Sequence, residues 1–229
     1  IPSEFAAKGL NHIGDIDYAD GLLYVSLDSS DRDPDDGGRY NTPVFAIYNA
    51  DDLTYTGQSF ALNPPHGVQD IASWVAVDVK NGVGYGMAYD NATEIAVYNL
   101  DDWSFQKYIP LQRTIDQAQG GKLLDGWMYF STESDTKSLY RANLETGEVE
   151  EIGRLDTPGD QEVEGLSFNW TPDGWSLYVL NREQPTPEVD ETVGFYRYLR
   201  PYGNVLSGEV HASVQGAFIQ DSRALRDAA

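Results

Sequence analysis

The sequence predicts an all-β fold, a β-propeller, in which small antiparallel sheets are arranged as blades around a central channel. The main evidence is an internal repeat marked by an Asp-Gly or Asn-Gly pair, which begins at Asp20, Asn81, Asp125 and Asp173. Such pairs are strong hairpin signals because the turn requires positive φ. The marker glycines recur at intervals of 61, 44 and 48 residues, and a four-stranded blade takes roughly 40–50 residues.

Each repeat carries four predicted strands separated by tight turns or polar loops. An aromatic-rich second strand follows each marker pair, as in 83–89 and 127–131. The predicted third strands are 44–48, 95–98, 139–142 and 194–198. The predicted fourth strands, which alternate polar and apolar residues as outer strands do, are 54–60, 103–109, 148–152 and 206–211. This repeated four-part order favours a propeller of four-stranded antiparallel blades over a sandwich.

The two ends of the chain suggest additional strands. Residues 3–10 stand before the first repeat as 57–62 stand before the second, which predicts another fourth strand. Residues 213–219 are a candidate strand for closing the ring. We therefore expect five blades, four of them fully readable, in a single domain spanning 1–229. Only 220–229 has a composition compatible with a helix.

Charge and composition exclude several classes of partner. The 229 residues include 37 acidic and 15 basic ones, a net charge of −22, and no cysteine. Nucleic acids and anionic membrane surfaces require basic patches, so we exclude both. Disulfides, thiolate metal sites and cysteine nucleophiles are excluded as well. No stretch approaches the roughly 18 apolar residues of a membrane helix. We expect a monomeric, secreted or cell-surface protein that binds a small molecule or a protein.

The segments that lead into the first strand of each blade form the candidate site. In a propeller they rim one mouth of the channel, where ligands usually bind. They are 11–15, 66–70, 116–120 and 160–165, and they contain no Lys or Arg. The candidate metal ligands are Asp15, Asp70, Glu162 and Glu164, and the candidate catalytic residues are His12 and His66. The candidate ligand-binding residues are Gln69, Trp74, Gln117, Gln119 and Gln161.

Three interpretations of this mouth remain open from the sequence. The polar residues can be turn and cap residues that line a hydrated channel. They can hold a divalent cation, since carboxylate and amide oxygens suit Ca²⁺, and converging acids require a counter-charge. They can also form a catalytic group in which His12 or His66 acts as acid or base.

One segment resembles known calcium-dependent propellers. Residues 162–168, which include Glu164 and Gly165, are followed by Asp173-Gly174 and the apolar run 178–180. This resembles the Glu-Gly first-strand motif of gluconolactonase-like and esterase-like phytase propellers. The resemblance implies that Glu164 ligates a central divalent metal. The gluconolactonase-like family has six blades and further Asn and Asp ligands that have no counterpart identified here, so the resemblance implies little about the reaction.

The sequence therefore supports three functions. The first is a propeller that binds a small ligand or protein partner at the mouth, together with a divalent cation such as Ca²⁺. The second is a metal-dependent hydrolase or lactonase that uses the same residues, and the third is a purely structural interaction module. The acidic loop 28–41 is separately interpreted as a solvated insertion or a peripheral calcium site.

Overall fold

The computed structural model describes residues 1–29, 43–62, 72–155, 161–171, 174–183, 192–199 and 208–215. It confirms the all-β prediction: the described residues form four antiparallel sheets of four strands each, arranged as the blades of a β-propeller. In each sheet the strands follow one another in chain order, so that neighbours in sequence are also neighbours in space. The innermost strands β1, β5, β9 and β13 contact one another around the axis.

Each blade contains one repeat of the sequence. Blade 1 consists of β1 (His12–Ala19), β2 (Leu22–Asp28), β3 (Val44–Asn49) and β4 (Tyr55–Ala61). Blade 2 consists of β5 (Ala76–Asp78), β6 (Val83–Gly86), β7 (Ala92–Asn99) and β8 (Phe105–Ile115). Blade 3 consists of β9 (Ala118–Leu124), β10 (Trp127–Thr132), β11 (Ser138–Asn143) and β12 (Val149–Arg154). Blade 4 consists of β13 (Glu162–Thr171), β14 (Gly174–Glu183), β15 (Thr192–Leu199) and β16 (Gly208–Gln215).

The prediction for the ends of the chain was wrong in one respect and lies partly outside the described residues. Residues 3–10 do not form a strand: they contain the short helix α1 (Ser3–Ala6). Phe5 and Leu10 are buried against β2 and β3 of blade 1. The described residues therefore form four blades rather than five. Residues 216–229, including most of the predicted closing strand, are outside the described ranges.

Apolar clusters hold successive blades together. Between blades 1 and 2, the buried ring of Trp103 contacts Phe45, Tyr24 and Tyr98, with its centroid 4.6 Å from that of Phe45. A second cluster joins blades 2 and 3, and a third joins blades 3 and 4 around Val163, Leu166 and Val179. Burial of alternate residues on both faces of a sheet explains why the strands are so rich in aromatic and branched side chains.

The described part of the chain has no helix that is long and apolar enough to cross a membrane. The first hairpins of blades 1 and 3 have the conformations that the marker pairs predicted, whereas in blade 2 the pair Asn81-Gly82 lies in a longer turn between Asp78 and Val83. Asp20 and Asp125 both have φ of 51°, and a glycine with positive φ follows each of them. The marker pairs therefore set the register between the first two strands of blades 1 and 3.

Candidate functional site

The mouth of the channel contains a histidine–aspartate pair on blade 1. His12 begins β1 and Asp28 ends β2, and the two residues are directly opposite in the strand register. The distance from His12 Nδ1 to Asp28 Oδ1 is 2.6 Å. The Asp28 side chain is only 4% exposed, whereas that of His12 is 35% exposed. The fold therefore presents a half-exposed imidazole that a buried carboxyl orients.

The electrostatics of the pair favour retention of a proton. The hydrogen bond to Asp28 raises the pKa of His12, and the nearby carboxylates of Glu164 and Glu162 raise it further against the opposing effect of burial. Burial also raises the pKa of Asp28, although the hydrogen bond to His12 counteracts this. Because the pKa of each side chain is raised, His12 and Asp28 each remain protonated to a higher pH than the corresponding free side chain.

Glu164 and Glu162 approach the same imidazole from blade 4. Burial raises the pKa of Glu164 to about 7, and the charge of Glu162 adds to the shift. Within the described residues, no hydrogen bond to the Glu164 carboxyl is present. Glu162 differs, because its Oε2 accepts a hydrogen bond from Arg182 Nη1 at 3.0 Å. Of the two glutamates, Glu164 is therefore the one whose carboxylate has no hydrogen-bond donor among the described residues.

Asp15 has a different environment from the one the sequence suggested. It lies on the axis, and its Oδ2 is 3.1 Å from Lys122 Nζ. The same oxygen accepts hydrogen bonds from the backbone N–H groups of Gly121 and Leu166, both at 3.3 Å. Burial raises the pKa of Asp15, and Lys122 opposes that shift. The ammonium of Lys122 therefore supplies the counter-charge for Asp15 that was expected from a divalent cation.

The packing at the axis is too close for side chains at several positions. A Cβ on Gly14 would overlap the Ser73 carbonyl oxygen, and one on Gly165 would overlap the Asp15 carboxylate. A Cβ on Gly120 would lie 2.9 Å from the Gly165 Cα. The glycine at position 165 is therefore explained by close packing against Asp15.

Gln119 and Gln161, which were predicted to bind a ligand, are instead buried within the protein. Gln161 is buried, and its Oε1 accepts hydrogen bonds from Tyr196 at 3.0 Å and Asn181 at 3.4 Å. Gln119 is also buried. Gln117 has φ of 52°, and its backbone N–H donates to the Tyr89 carbonyl oxygen at 2.8 Å.

Trp74 is 1% exposed and packs edge-on against Phe130, with ring centroids 5.5 Å apart. Its ring also covers Gly121, where a Cβ would overlap it. Trp74 therefore belongs to the core between blades 2 and 3. The remaining predicted residues, His66, Gln69 and Asp70, lie outside the described residues, as does most of the acidic loop 28–41.

The described residues do not provide a metal centre by themselves. Across the described ranges, no group of three or more His, Asp or Glu side chains has an arrangement that could hold a metal ion. A calcium ion takes six to eight oxygens, and Glu164 offers one carboxylate. The Ca²⁺ site therefore stays a prediction, since its expected ligand Asp70 lies outside the described residues.

Sequence comparisons assign no family. No family model matches the chain, and no curated protein matches it. The local resemblance to gluconolactonase-like and phytase propellers therefore has no support from these comparisons.

Solved structures of other proteins are similar in fold. A mutant of the GH43 protein BlXynB from Bacillus licheniformis matches 86% of this chain and 43% of its own, with 16% identity and a TM-score of 0.57. Kuenenia stuttgartiensis hydrazine synthase matches 89% and 66%, with 14% identity and a TM-score of 0.47. U3-55K matches 89% and 64%, with 11% identity and a TM-score of 0.44. The chain spans between 43% and 66% of the length of these three structures. At 16% identity, the similarity to BlXynB supports the β-propeller fold and nothing finer.

Proposed function

We propose that the mouth between blades 1 and 4 binds a small polar ligand that brings a positive charge or hydrogen-bond donors to Glu164. The observation that carries this proposal is the Glu164 carboxyl, which is largely buried without a hydrogen-bond partner among the described residues. Burying an unpaired carboxylate is costly, so a donor that satisfies it gains free energy. An ammonium group and a hydrated divalent cation are both ligands of this kind.

Neighbouring groups support binding over a purely structural role for this mouth. His12 is half-exposed, oriented by Asp28, and close enough to Glu164 for the two to affect each other's pKa. Arg182 donates a hydrogen bond to the carboxylate of Glu162 and so restrains its position. A ligand would therefore meet a restrained carboxylate, an imidazole donor and a guanidinium, a combination that can orient a small polar molecule.

Thermal unfolding of the wild type and the Glu164→Gln variant tests this proposal. The probes are CaCl₂, MgCl₂, ZnCl₂ and methylammonium chloride, each after treatment with chelator. We expect at least one probe to raise the melting temperature of the wild type by several degrees and to leave Glu164→Gln unaffected. Glu145→Gln, a change at an exposed turn residue, is the matched control and should respond as the wild type does.

A second candidate function is hydrolysis at the same mouth. Asp28 engages Nδ1 of His12, so that Nε2 is the ring nitrogen that can accept or donate a proton toward a substrate. Glu164, with a pKa of about 7, adds a group that can exchange a proton near neutral pH. The test is hydrolysis of lactones, esters and phosphate esters by the wild type and by His12→Asn. Turnover that disappears in His12→Asn, with an unchanged melting temperature, favours the enzyme.

A further inference from the structure

The marker pair of blade 2 differs from those of blades 1 and 3 in its chemistry and in its turn. It is Asn81-Gly82, and it closes the turn 79–82 between β5 and β6. Both residues are exposed to solvent. The corresponding pairs of blades 1 and 3 are Asp-Gly. The carbonyl carbon of an amide reacts with nucleophiles more readily than that of a charged carboxylate, so blade 2 carries an electrophile at this position.

The nucleophile that follows this amide in the chain is the backbone nitrogen of Gly82. Its N–H donates to the Val79 carbonyl oxygen at 3.3 Å, which is beyond the about 2.7–3.2 Å that is usual for such bonds. Gly82 has φ of 65°, and a Cβ built on it would meet nothing within 4 Å apart from its chain neighbours. The nitrogen is therefore weakly held, and no side chain at position 82 hinders its approach to Asn81.

The carboxylate of Asp78 holds the nitrogen of the same amide. Asn81 Nδ2 donates to Asp78 Oδ2 at 2.6 Å, and the Asn81 backbone N–H donates to Asp78 Oδ1 at 3.1 Å. Charge-assisted bonds of this kind are strong, so the negative charge stabilises a proton that arrives on Nδ2. Among the described residues, no donor contacts Asn81 Oδ1, which leaves this oxygen to water. The turn therefore favours departure of the amide nitrogen as ammonia.

We propose that Asn81 is a site of spontaneous deamidation and isoaspartate formation. The Gly82 nitrogen loses its proton to water and bonds to Asn81 Cγ. Nδ2 takes up a proton and leaves as ammonia, which closes a five-membered succinimide. One water molecule then opens this ring. Addition at Cγ breaks the new C–N bond and produces aspartate, whereas addition at the backbone carbonyl carbon breaks the original peptide bond and produces isoaspartate, linked through its side chain.

Either product changes the turn in the same direction. A carboxylate replaces the amide that donated to Asp78, so that a hydrogen bond becomes a repulsion between like charges. Isoaspartate also lengthens the backbone between β5 and β6 by one carbon. The pairing of Asp78 with Val83 no longer fits a turn of that length. Modification at Asn81 is therefore expected to weaken the inner hairpin of blade 2.

The effect extends to the junction between blades 1 and 2. The Gly82 carbonyl oxygen accepts a hydrogen bond from the backbone N–H of Leu100 at 3.0 Å. Trp103, whose ring lies at the centre of that junction, belongs to the same turn as Leu100. A displaced Gly82 would release this turn and loosen the packing of Trp103. This inference does not depend on the proposed ligand at the mouth.

Incubation of the purified full chain at mildly alkaline pH, followed by peptide mass spectrometry, tests the proposal. Digestion in mildly acidic buffer prevents further deamidation, and an isoaspartyl methyltransferase with labelled methyl donor measures the isoaspartate. Asn91 is the internal control, because it is also exposed in a turn but is followed by the buried Ala92. Asn81→Gln is the matched variant, since the longer side chain would have to close a less favourable six-membered ring.

We expect Asn81 to deamidate at least tenfold faster than Asn91 in the folded protein, and Asn81→Gln to lose the methyltransferase signal. The melting temperature of the wild type should fall during incubation, whereas that of Asn81→Gln should not. Equal rates at Asn81 and Asn91, or reaction of Asn81 only when the protein is unfolded in urea, would overturn the proposal. A fully deamidated wild type with an unchanged melting temperature would overturn the link to the junction.

Discussion

Lys122 Nζ lies 3.1 Å from Asp15 Oδ2 and 3.8 Å from Asp17 Oδ1, and so places one ammonium between two buried carboxylates of the opposite blade. It also donates a hydrogen bond to the Ile16 carbonyl oxygen at 2.6 Å. Burial raises the pKa of both aspartates, and Lys122 opposes this in each. The innermost strands of blades 1 and 3 are thus joined across the axis by an internal ion group rather than by an apolar plug.

Replacing this lysine should be costly. Lys122→Met leaves two buried carboxylates without their cation, and breaking a buried pair costs about 3–5 kcal/mol. Urea unfolding at pH 7 measures the loss, with Lys107→Met as the control, since Lys107 is exposed on β8. The loss in free energy of unfolding should be smaller at low pH, where Asp15 and Asp17 can be protonated. Equal stability of the two variants would contradict the role given to Lys122.

The close approach of the inner strands predicts a steric effect at Gly14. Its Cβ in Gly14→Ala would overlap the Ser73 carbonyl oxygen, and backbone cannot move aside as a flexible side chain can. We expect a loss of about 2–3 kcal/mol in urea unfolding. Gly57→Ala is the comparison, because Gly57 has φ of 85° and open space around it, so it should cost about 1 kcal/mol. If Gly57→Ala were the more damaging change, the packing account of the axis would be wrong.

The pKa of Glu164 predicts how stability depends on pH. Its folded-state pKa is raised from 4.5 to about 7, so the folded protein holds the proton more tightly than the unfolded chain does. This contribution is fully present below about pH 4.5 and is lost as pH rises through about 7. Glu164→Gln should therefore match the wild type near pH 4 and be more stable at pH 8, by at most about 3 kcal/mol.

Urea unfolding of both proteins between pH 4 and 8 measures this difference. Glu145→Gln should follow the wild type at every pH. A Glu164→Gln variant that loses stability at pH 8 would show that the carboxylate already has a stabilising partner.

The His12–Asp28 pair predicts a titration that NMR can follow. The pKa of His12 should lie above 6.5, because Asp28 hydrogen-bonds to its Nδ1. Since the folded-state pKa is raised, the stabilisation is fully present below pH 6.5 and is lost as pH rises through the folded value. Asp28→Asn should lower the pKa of His12, because it removes the carboxylate that stabilises the protonated imidazole. An unchanged His12 titration in Asp28→Asn would refute the pairing.

The repeat was readable from the sequence because its signals are local. Asp-Gly and Asn-Gly pairs set the hairpins, and the alternation of apolar residues set the strands, so each blade could be identified within about 40–60 residues of chain. The prediction for residues 3–10 was wrong because it relied on their position before the first repeat, and α1, with four residues, is too short for helical periodicity to show in the sequence.

The candidate site was only partly readable because its contacts are not local. The mouth segments predicted that His12, Glu162 and Glu164 lie near one another, and the carboxylates of Glu164 and Glu162 raise the pKa of His12. The roles assigned to these residues stay predictions. Asp28 was missed because it ends the second strand and meets His12 only through the hairpin register. Lys122 was missed because it lies two residues beyond a mouth segment and reaches Asp15 across the axis.

Isothermal titration of the wild type and Glu164→Gln at pH 8, with methylammonium and then Ca²⁺ as titrants, tests the central claim most directly. At this pH Glu164 is ionised, because its pKa is about 7. The account predicts saturable binding of at least one of these cations to the wild type and to Glu145→Gln, with at least a tenfold weaker affinity for Glu164→Gln. No binding to the wild type, or equal binding to Glu164→Gln, would contradict a ligand site at this mouth.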